Sequence, residues 1–226
     1  MAAILLIIFV LIMFVPQWWV SYTMKHYGKT INDLPGTGGE LAEHLIEKYQ
    51  LSVKVEQTQL GDHYDPGTKT VRLSPLIYNG KSLTAVAIAA HEVGHAVQDF
   101  RKEELIQTRG KMVEASQRIE KMGAGIIFLS PFITAITHSP HLGILVAIIG
   151  LLSIASNVMV HFISLPLEFD ASFNKALPLL EAGNYVTKID LKYVRKILLA
   201  AALTYVAAAL ASLFNVGRWI MLLLRR

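Results

Sequence analysis

Four apolar runs set the strongest limit on how this chain can fold. They cover residues 2–20, 123–137, 142–165 and 197–214, in a chain of 226 residues that is 53% hydrophobic and 17% charged. A helix needs about 20 apolar residues to cross the hydrocarbon core of a bilayer. The second run is shorter and contains Pro131, but only a tight loop separates it from the third. The runs therefore predict a mainly α membrane protein with about four transmembrane helices.

The positions of the runs predict a division into five segments. An N-terminal transmembrane anchor (1–22) precedes a polar domain (23–121). A transmembrane hairpin (122–165) then precedes a short helical segment (166–196) and a C-terminal transmembrane helix with its tail (197–226). The first run begins without basic residues and ends in two tryptophans, which suits a membrane interface and not a cleaved signal peptide. We therefore expect it to remain in the membrane.

An even number of spans places the polar domain and residues 166–196 on one side of the membrane. Lysine and arginine residues flank the spans on that side, whereas Arg218, Arg225 and Arg226 lie on the other. The positive-inside rule favours the cytoplasm for the polar domain of a multi-pass cell-membrane protein, and the C-terminal arginines oppose this assignment. The lipid bilayer is an expected partner.

The charge and the cysteine content exclude other classes of site. The net charge is +4, but the basic residues are scattered singly and form no stripe, so nucleic-acid binding is not expected. The chain has no cysteine, which excludes a disulfide framework and a thiolate metal site. Metal ligands in this chain would be histidine or carboxylate side chains.

The polar domain combines helical and strand patterns. Thr37 and Glu40 form a capping-box pattern ahead of an amphipathic helix. Residues 53–56 and 70–73 alternate between polar and apolar side chains, and the turn-rich residues 61–67 lie between them, which predicts a β-hairpin. The strand 70–73 could be an edge that accepts an extended peptide, or part of an ordinary packed hairpin. We expect a small α+β domain with this hairpin before its main helix.

That main helix carries the sequence His91-Glu92-Val93-Gly94-His95 inside an apolar segment. Ser82 is a suitable N-cap, and the pattern predicts a helix over residues 83–99. Residues four apart lie on one face of a helix, so His91 and His95 can direct two imidazole nitrogens at one zinc ion. Glu92 can reach a water molecule on that ion and is the candidate general base. The alternative is two ordinary histidines on an ordinary helix.

A catalytic zinc ion needs a third protein ligand. Asp99 is excluded because about 12 Å of helix axis separates it from His91, and we expect it to be a surface or cap residue. Glu168 follows the hairpin directly, in a helix that Pro166 is expected to open and Gly183 to end. Glu168 is the candidate third ligand. The alternative is a glutamate that only favours a helix N-terminus.

Three further positions, two near Glu168 and one between the two histidines, carry open alternatives. Ser172 shares the helix face of Glu168 and Asp170 lies two residues beyond Glu168, so either could orient a metal-binding histidine. Gly94 weakens a helix by about 1 kcal/mol relative to alanine. Close packing of a backbone or a ligand against Gly94 would explain the glycine, and so would flexibility.

Four stretches resemble the YugP-type neutral zinc metallopeptidases of bacteria: residues 91–95, 62–66, 165–172 and 200–210. The resemblance spans nearly the whole chain. It implies a membrane-embedded zinc protease with a zincin-like domain of the gluzincin type, in which His91, His95 and Glu168 hold one Zn²⁺ and Glu92 is catalytic. The chain is more distantly similar to the HtpX-type and prenyl-protein membrane proteases, whose Glu-x-x-x-Asp pattern ends in an aspartate that supports a zinc-binding histidine. Here Ser172 stands in place of that aspartate.

The resulting hypothesis is a zinc-dependent endopeptidase that acts on peptides or membrane proteins near the bilayer. Glu92 would take a proton from water as the water attacks a peptide carbonyl. The oxyanion needs a further donor, and the candidates are His63, Tyr64, His161 and Tyr185. One alternative is a non-catalytic membrane scaffold with a structural zinc site. Another is a metal or ion transporter that uses His161 and Asn157, although the spans contain few other residues suited to that role.

Overall fold

The computed structural model describes the backbone of residues 2–224 and the side chains of residues 11, 14–139, 141–153, 156 and 158–212. The protein is mostly helical, with a small three-stranded sheet. In chain order the elements are α1 (Ala2–His26), α2 (Gly38–Lys48), β1 (Lys54–Gln57), β2 (His63–Asp65), β3 (Thr70–Leu73), α3 (Pro75–Tyr78), α4 (Leu83–Phe100), α5 (Glu104–Thr137), α6 (Pro140–Phe169), a π-helix (Asp170–Ala176), α7 (Leu177–Ala182) and α8 (Leu191–Leu224).

Three helices in the described part of the chain are long and apolar enough to cross a membrane. They are Glu104–Thr137, His141–Ala182 and Leu191–Ser212, which contain the second and third predicted runs and all but the last two residues of the fourth. Residues 2–22 of the predicted N-terminal anchor belong to α1, but most side chains of the anchor lie outside the described residues. The side chain of Asn157 also lies outside them.

The chain divides into two compact units. The polar unit comprises Val15–Gln107 and Leu165–Thr204, and the apolar unit comprises Met1–Phe14, Thr108–Ser164 and Tyr205–Arg226. Both predicted halves of the metal site, at residues 91–95 and at Glu168, belong to the polar unit.

The sheet of the polar unit differs from the predicted hairpin. Strand β3 lies in the centre, pairs in parallel with β1 and pairs antiparallel with β2. The predicted pairing of 53–56 with 70–73 as hairpin arms is therefore wrong, because the supposed turn contains β2, which reverses the chain once more. The hairpin is formed by β2 and β3. Strand β3 is hydrogen-bonded on both sides, so the alternative that it is an edge strand is wrong too.

Helix α4 is the centre of the polar unit, and every residue from Leu83 to Gln98 is buried. It confirms the predicted helix and extends it by one residue. The Ser82 hydroxyl accepts the Ala85 N–H at 3.1 Å and caps the helix, as predicted. The end of α1 also holds the first turn of α4, because Thr84 donates its N–H to the Tyr27 carbonyl (3.2 Å) and its hydroxyl to the Met24 carbonyl (3.0 Å).

The helix that carries Glu168 begins much earlier than predicted. Pro166 does not open it, because α6 runs from Pro140 through Pro166 to Phe169. A proline removes one helical hydrogen bond, but its φ suits a helix and the chain here continues helically. The following π-helix has hydrogen bonds across five residues, including Leu177 N–H to the Ser172 carbonyl. The predicted end is confirmed, since Gly183 is the C-cap of α7.

Candidate metal centre

The structure brings His91, His95 and Glu168 together. The Nε2 atoms of His91 and His95 lie 3.2 and 3.3 Å from the same Glu168 oxygen, Oε2. One ligand atom from each residue can be chosen so that all three lie within 4.8 Å of one another, and all three side chains are buried. Two ligands held about 2.0–2.1 Å from a tetrahedral ion lie about 3.4 Å apart. The two nitrogen–oxygen distances therefore fit two edges of a tetrahedral zinc site.

The hydrogen bonds of Gln98 determine which nitrogen of His95 carries the proton. The Gln98 amide nitrogen lies 3.1 Å from the Leu167 carbonyl oxygen and 2.7 Å from Asp170 Oδ2. Both of these atoms are acceptors, so the amide nitrogen must face them and the Gln98 Oε1 must face His95. Oε1 lies 2.9 Å from His95 Nδ1, and this nitrogen therefore donates. In the neutral imidazole, which is the form that binds a metal, the Nε2 lone pair of His95 then faces Glu168.

The contacts of Ser172 indicate which nitrogen of His91 carries the proton. The Ser172 hydroxyl donates its single proton to the Leu198 carbonyl at 3.2 Å, and its oxygen lies 3.1 Å from His91 Nδ1. A hydroxyl whose proton is already donated to another acceptor can only accept a further hydrogen bond, so His91 donates from Nδ1. Both imidazoles thus donate from Nδ1, and in their neutral form they direct Nε2 lone pairs toward the shared Glu168 oxygen.

With neutral imidazoles, three lone pairs therefore converge in a buried site. Electron pairs that face one another at little more than 3 Å repel strongly where water does not screen them. Protons on Nε2 or a bound cation remove this repulsion, and two imidazole nitrogens with one carboxylate are ligands that Zn²⁺ accepts. The donor set and its supporting hydrogen bonds thus fit a zinc ion.

Glu92 lies next to His91 on α4 and is only 6% exposed. A buried carboxylate can act as a proton acceptor for a water molecule within its reach, because little bulk water competes with it. Burial also limits access, since His91 and His95 are each only 4% exposed and Glu168 only 1%.

The two predicted candidates for orienting a histidine both reach the site. Ser172 contacts His91 directly, and Asp170 reaches His95 through Gln98. Gln98 was not predicted as a site residue. It lies three residues after His95 and seven after His91, on the same face of the helix, and a lone amide in that apolar segment is the feature that could have indicated it.

Gly94 allows a close approach between α4 and the π-helix. A Cβ atom at Gly94 would lie 2.8 Å from the Ala171 carbonyl oxygen and 3.3 Å from Lys175 Cβ. Of the two explanations for this glycine, the close packing of another backbone is confirmed.

Tyr64 on β2 and Asp99 at the C-terminal end of α4 form a separate pair. Tyr64 is buried and donates its hydroxyl to Asp99 Oδ2 at 2.6 Å, and Lys69 Nζ lies 2.5 Å from the same oxygen. Burial, and then the hydrogen bond to the Asp99 carboxylate, raise the pKa of Tyr64 far above its usual value. Asp99 is thus held by Tyr64 and Lys69, and the sequence-based exclusion of Asp99 as a ligand agrees with these contacts.

The other candidate oxyanion donors also have neighbours of their own. His63 Nδ1 lies 2.9 Å from the Gly61 carbonyl oxygen. Lys48 donates to the Tyr185 hydroxyl at 3.2 Å. In the apolar unit, the His161 ring meets the Tyr205 ring edge-on. These contacts place no donor at the three clustered side chains, and the roles proposed for these residues stay predictions.

Residues 2–224 match the family described as "Putative neutral zinc metallopeptidase". The chain is 34% identical over 211 residues to the "Putative membrane protease YugP" of Bacillus subtilis (strain 168), and the match covers 92% of this chain and 90% of that protein. No solved structure matches the chain. Because the family match extends over nearly every residue, the resemblance noted in the sequence is confirmed, and the chain belongs to the neutral zinc metallopeptidase family.

Proposed function

We propose that this protein is a membrane-embedded, zinc-dependent endopeptidase of the gluzincin type. In this proposal His91, His95 and Glu168 hold one Zn²⁺ and Glu92 is the general base. The observation that carries the proposal is the close approach of two histidine Nε2 atoms to one carboxylate oxygen, among three buried side chains that could hold a metal ion. Membership of a zinc metallopeptidase family supports the same reaction.

Each residue has a defined task in the proposed reaction. A bound zinc ion supplies a Lewis acid that lowers the pKa of a water molecule toward about 7 and polarises a peptide carbonyl. Glu92 accepts a proton from water while the water oxygen bonds to the carbonyl carbon of the substrate. Glu92 then returns the proton to the amine nitrogen as the C–N bond breaks. Ser172 and Gln98 keep the Nδ1 protons of the histidines in place.

We further propose that the polar unit is a zincin-like domain in a four-span protein of the cell membrane. Three apolar helices and the predicted N-terminal anchor support four spans, and the relative in Bacillus subtilis is named as a membrane protease. The charges that flank the spans favour a cytoplasmic site. The proposed partners are the lipid bilayer and peptide or membrane-protein substrates.

A peptide substrate requires the proposed site to open. The general base and the three candidate ligands are each no more than 6% exposed, whereas hydrolysis needs a peptide backbone beside the metal. We therefore expect the elements around α4 to move before a substrate binds.

The experiment that tests the function compares wild-type protein with Glu92→Gln and Glu168→Ala, all purified in detergent. Zinc is measured per chain, and cleavage is measured on a peptide library with and without a chelator. Glu92→Gln should keep its zinc and lose cleavage by about 100- to 10,000-fold, because it loses only the base. Glu168→Ala should lose zinc. Glu47→Gln, an exposed position on α2, is the matched control and should keep both.

Two outcomes contradict the proposal. Full zinc content in Glu168→Ala shows that the ligand set is wrong. Stoichiometric zinc in the wild type with no cleavage in any condition favours the non-catalytic scaffold instead.

A further inference from the structure

Gln98 connects the two parts of the candidate metal centre. It is fully buried, and its carbonyl oxygen accepts the Nδ1 proton of His95. Its amide nitrogen donates to the Leu167 carbonyl and to the Asp170 carboxylate, which lie on either side of Glu168 in the chain. A single side chain therefore contacts one candidate ligand on α4 and the two ends of the segment that carries another.

A further set of polar contacts holds the Asp170 end of this connection. Asp170 accepts from Lys175 Nζ at 2.7 Å and from Asn174 Nδ2 at 2.8 Å, and Lys175 Nζ also lies 3.1 Å from Glu103 Oε1. The result is a continuous series of contacts from Glu103, just after α4, back to the imidazole of His95. Lys175 is largely buried between its two carboxylates.

The chemistry of this position suits glutamine. The site offers one donor, His95 Nδ1–H, and two acceptors, the Leu167 carbonyl and the Asp170 carboxylate. A primary amide provides one accepting oxygen and two N–H donors on a planar group. A carboxylate at the same position could satisfy His95 but would face two acceptors, and an apolar side chain would leave all three groups without this partner.

We propose that Gln98 is a positioning residue of the metal centre, which fixes the protonated nitrogen of His95 and holds His95 in register with Glu168. This inference rests on the proposed function, because it assigns Gln98 a role toward the same zinc ion. Groups that orient a metal-binding histidine change metal affinity by about 10- to 100-fold when they are removed. A glutamine that only fills the core would leave zinc affinity and the histidine protons unchanged.

The test uses Gln98→Met, which has a similar length but no donor or acceptor of comparable strength. Zinc affinity is measured by competition with a chromophoric chelator. The protonated nitrogen of each histidine is read from ¹⁵N chemical shifts of zinc-free, ¹⁵N-histidine-labelled protein, with His95 assigned by its loss in His95→Gln. Zinc affinity should fall about 10- to 100-fold, and His95 should lose its Nδ1–H signature. Gln107→Met, at an exposed glutamine on α5, should change neither.

A second variant keeps the test decisive if Gln98→Met does not fold. Gln98→Glu retains an acceptor for His95, so His95 should keep its Nδ1–H signature although the contacts to Leu167 and Asp170 are lost. Loss of that signature in Gln98→Glu overturns the assignment, as does unchanged zinc affinity in a folded Gln98→Met.

These readouts separate the role of Gln98 from the function itself. Neither zinc affinity nor the histidine signature depends on turnover. A wild-type protein that binds no zinc contradicts the proposed function. A wild-type protein that binds zinc, together with a Gln98→Met variant that binds it equally well, contradicts only the role of Gln98.

Discussion

Gly94 lies so close to the backbone of Ala171 that a Cβ atom on Gly94 would come within 2.8 Å of the Ala171 carbonyl oxygen. The contact falls between His91 and His95 on one side, and between Glu168 and Ser172 on the other. The distance between the two halves of the candidate metal centre is therefore limited by a residue that has no side chain.

Replacing Gly94 with alanine should push the π-helix away from α4. Alanine favours a helix by about 1 kcal/mol over glycine, but the backbone clash should outweigh this gain and destabilise the protein by about 1–3 kcal/mol. Zinc affinity should fall as well, because Glu168 and Ser172 would move with the π-helix. Denaturant unfolding and chelator competition measure the two effects.

Gly110→Ala is the matched control for Gly94→Ala. Gly110 also lies in a helix, and a Cβ atom there would meet no described atom within 4 Å. This variant should be stabilised by up to about 1 kcal/mol, with unchanged zinc affinity. If the two variants behave alike, the close contact with Ala171 does not limit the site.

Removing the Ser172 hydroxyl should weaken zinc binding through His91. In Ser172→Ala, His91 Nδ1–H loses its acceptor and the Leu198 carbonyl loses a donor, so zinc affinity should fall by about 10- to 100-fold. Ser164→Ala is the control, since Ser164 is also buried but its hydroxyl donates to the Val160 carbonyl of its own helix. An equal loss of zinc in both variants would point to a general packing effect.

Removal of zinc by a chelator should be limited by opening of the protein. The three candidate ligands are each no more than 4% exposed, so a chelator can reach the ion only after a local opening. The rate of zinc loss should rise with chelator concentration at first and then become constant. A rate that stays proportional to chelator concentration over the whole range would mean that the ion is accessible without opening.

The turn between β2 and β3 should make stability depend on pH in the acidic range. Hydrogen bonds from Thr68, an ion pair with Arg72 and two backbone N–H groups lower the pKa of Asp65 to about 2. Because the unfolded value is about 3.9, the stabilisation is complete above that pH and is lost as the pH falls toward 2. We expect a loss of about 1 kcal/mol after solvent screening.

The comparison that isolates this effect uses zinc-free protein, so that acid release of zinc does not contribute. Unfolding free energies of the wild type and of Asp65→Asn are measured between pH 5 and pH 2. The difference between them should shrink as the pH falls. A constant difference would show that the Asp65 carboxylate does not stabilise the turn.

Local patterns predicted those parts of the structure that depend on neighbours in the sequence. The capping box at Thr37 and Glu40, the N-cap at Ser82 and the helix that follows it all formed as expected, because these interactions span only a few residues. Glu168 was found by its position after the hairpin, and it does lie beside both histidines.

Contacts between distant segments were harder to predict. The parallel pairing of β1 with β3 depends on the three-residue strand β2, which is too short to produce a recognisable alternation. Pro166 resembles a helix start, and only the surrounding packing decides that the helix continues through it. The role of Gln98 depends on acceptors about 70 residues away in the chain, which no local pattern reveals.

The π-helix accommodates one additional residue beside the candidate site. In an α-helix, residues five apart point about 140° away from each other, whereas in this segment Lys175 reaches back to Asp170. A turn whose hydrogen bonds span five residues holds one residue more than an α-helical turn. Deleting one residue between Asp170 and Lys175 would let this turn close as an α-helix, with the lysine four residues after Asp170 and again on its face. The wide turn therefore lets the chain carry an extra residue here without a large rotation of the residues that follow it.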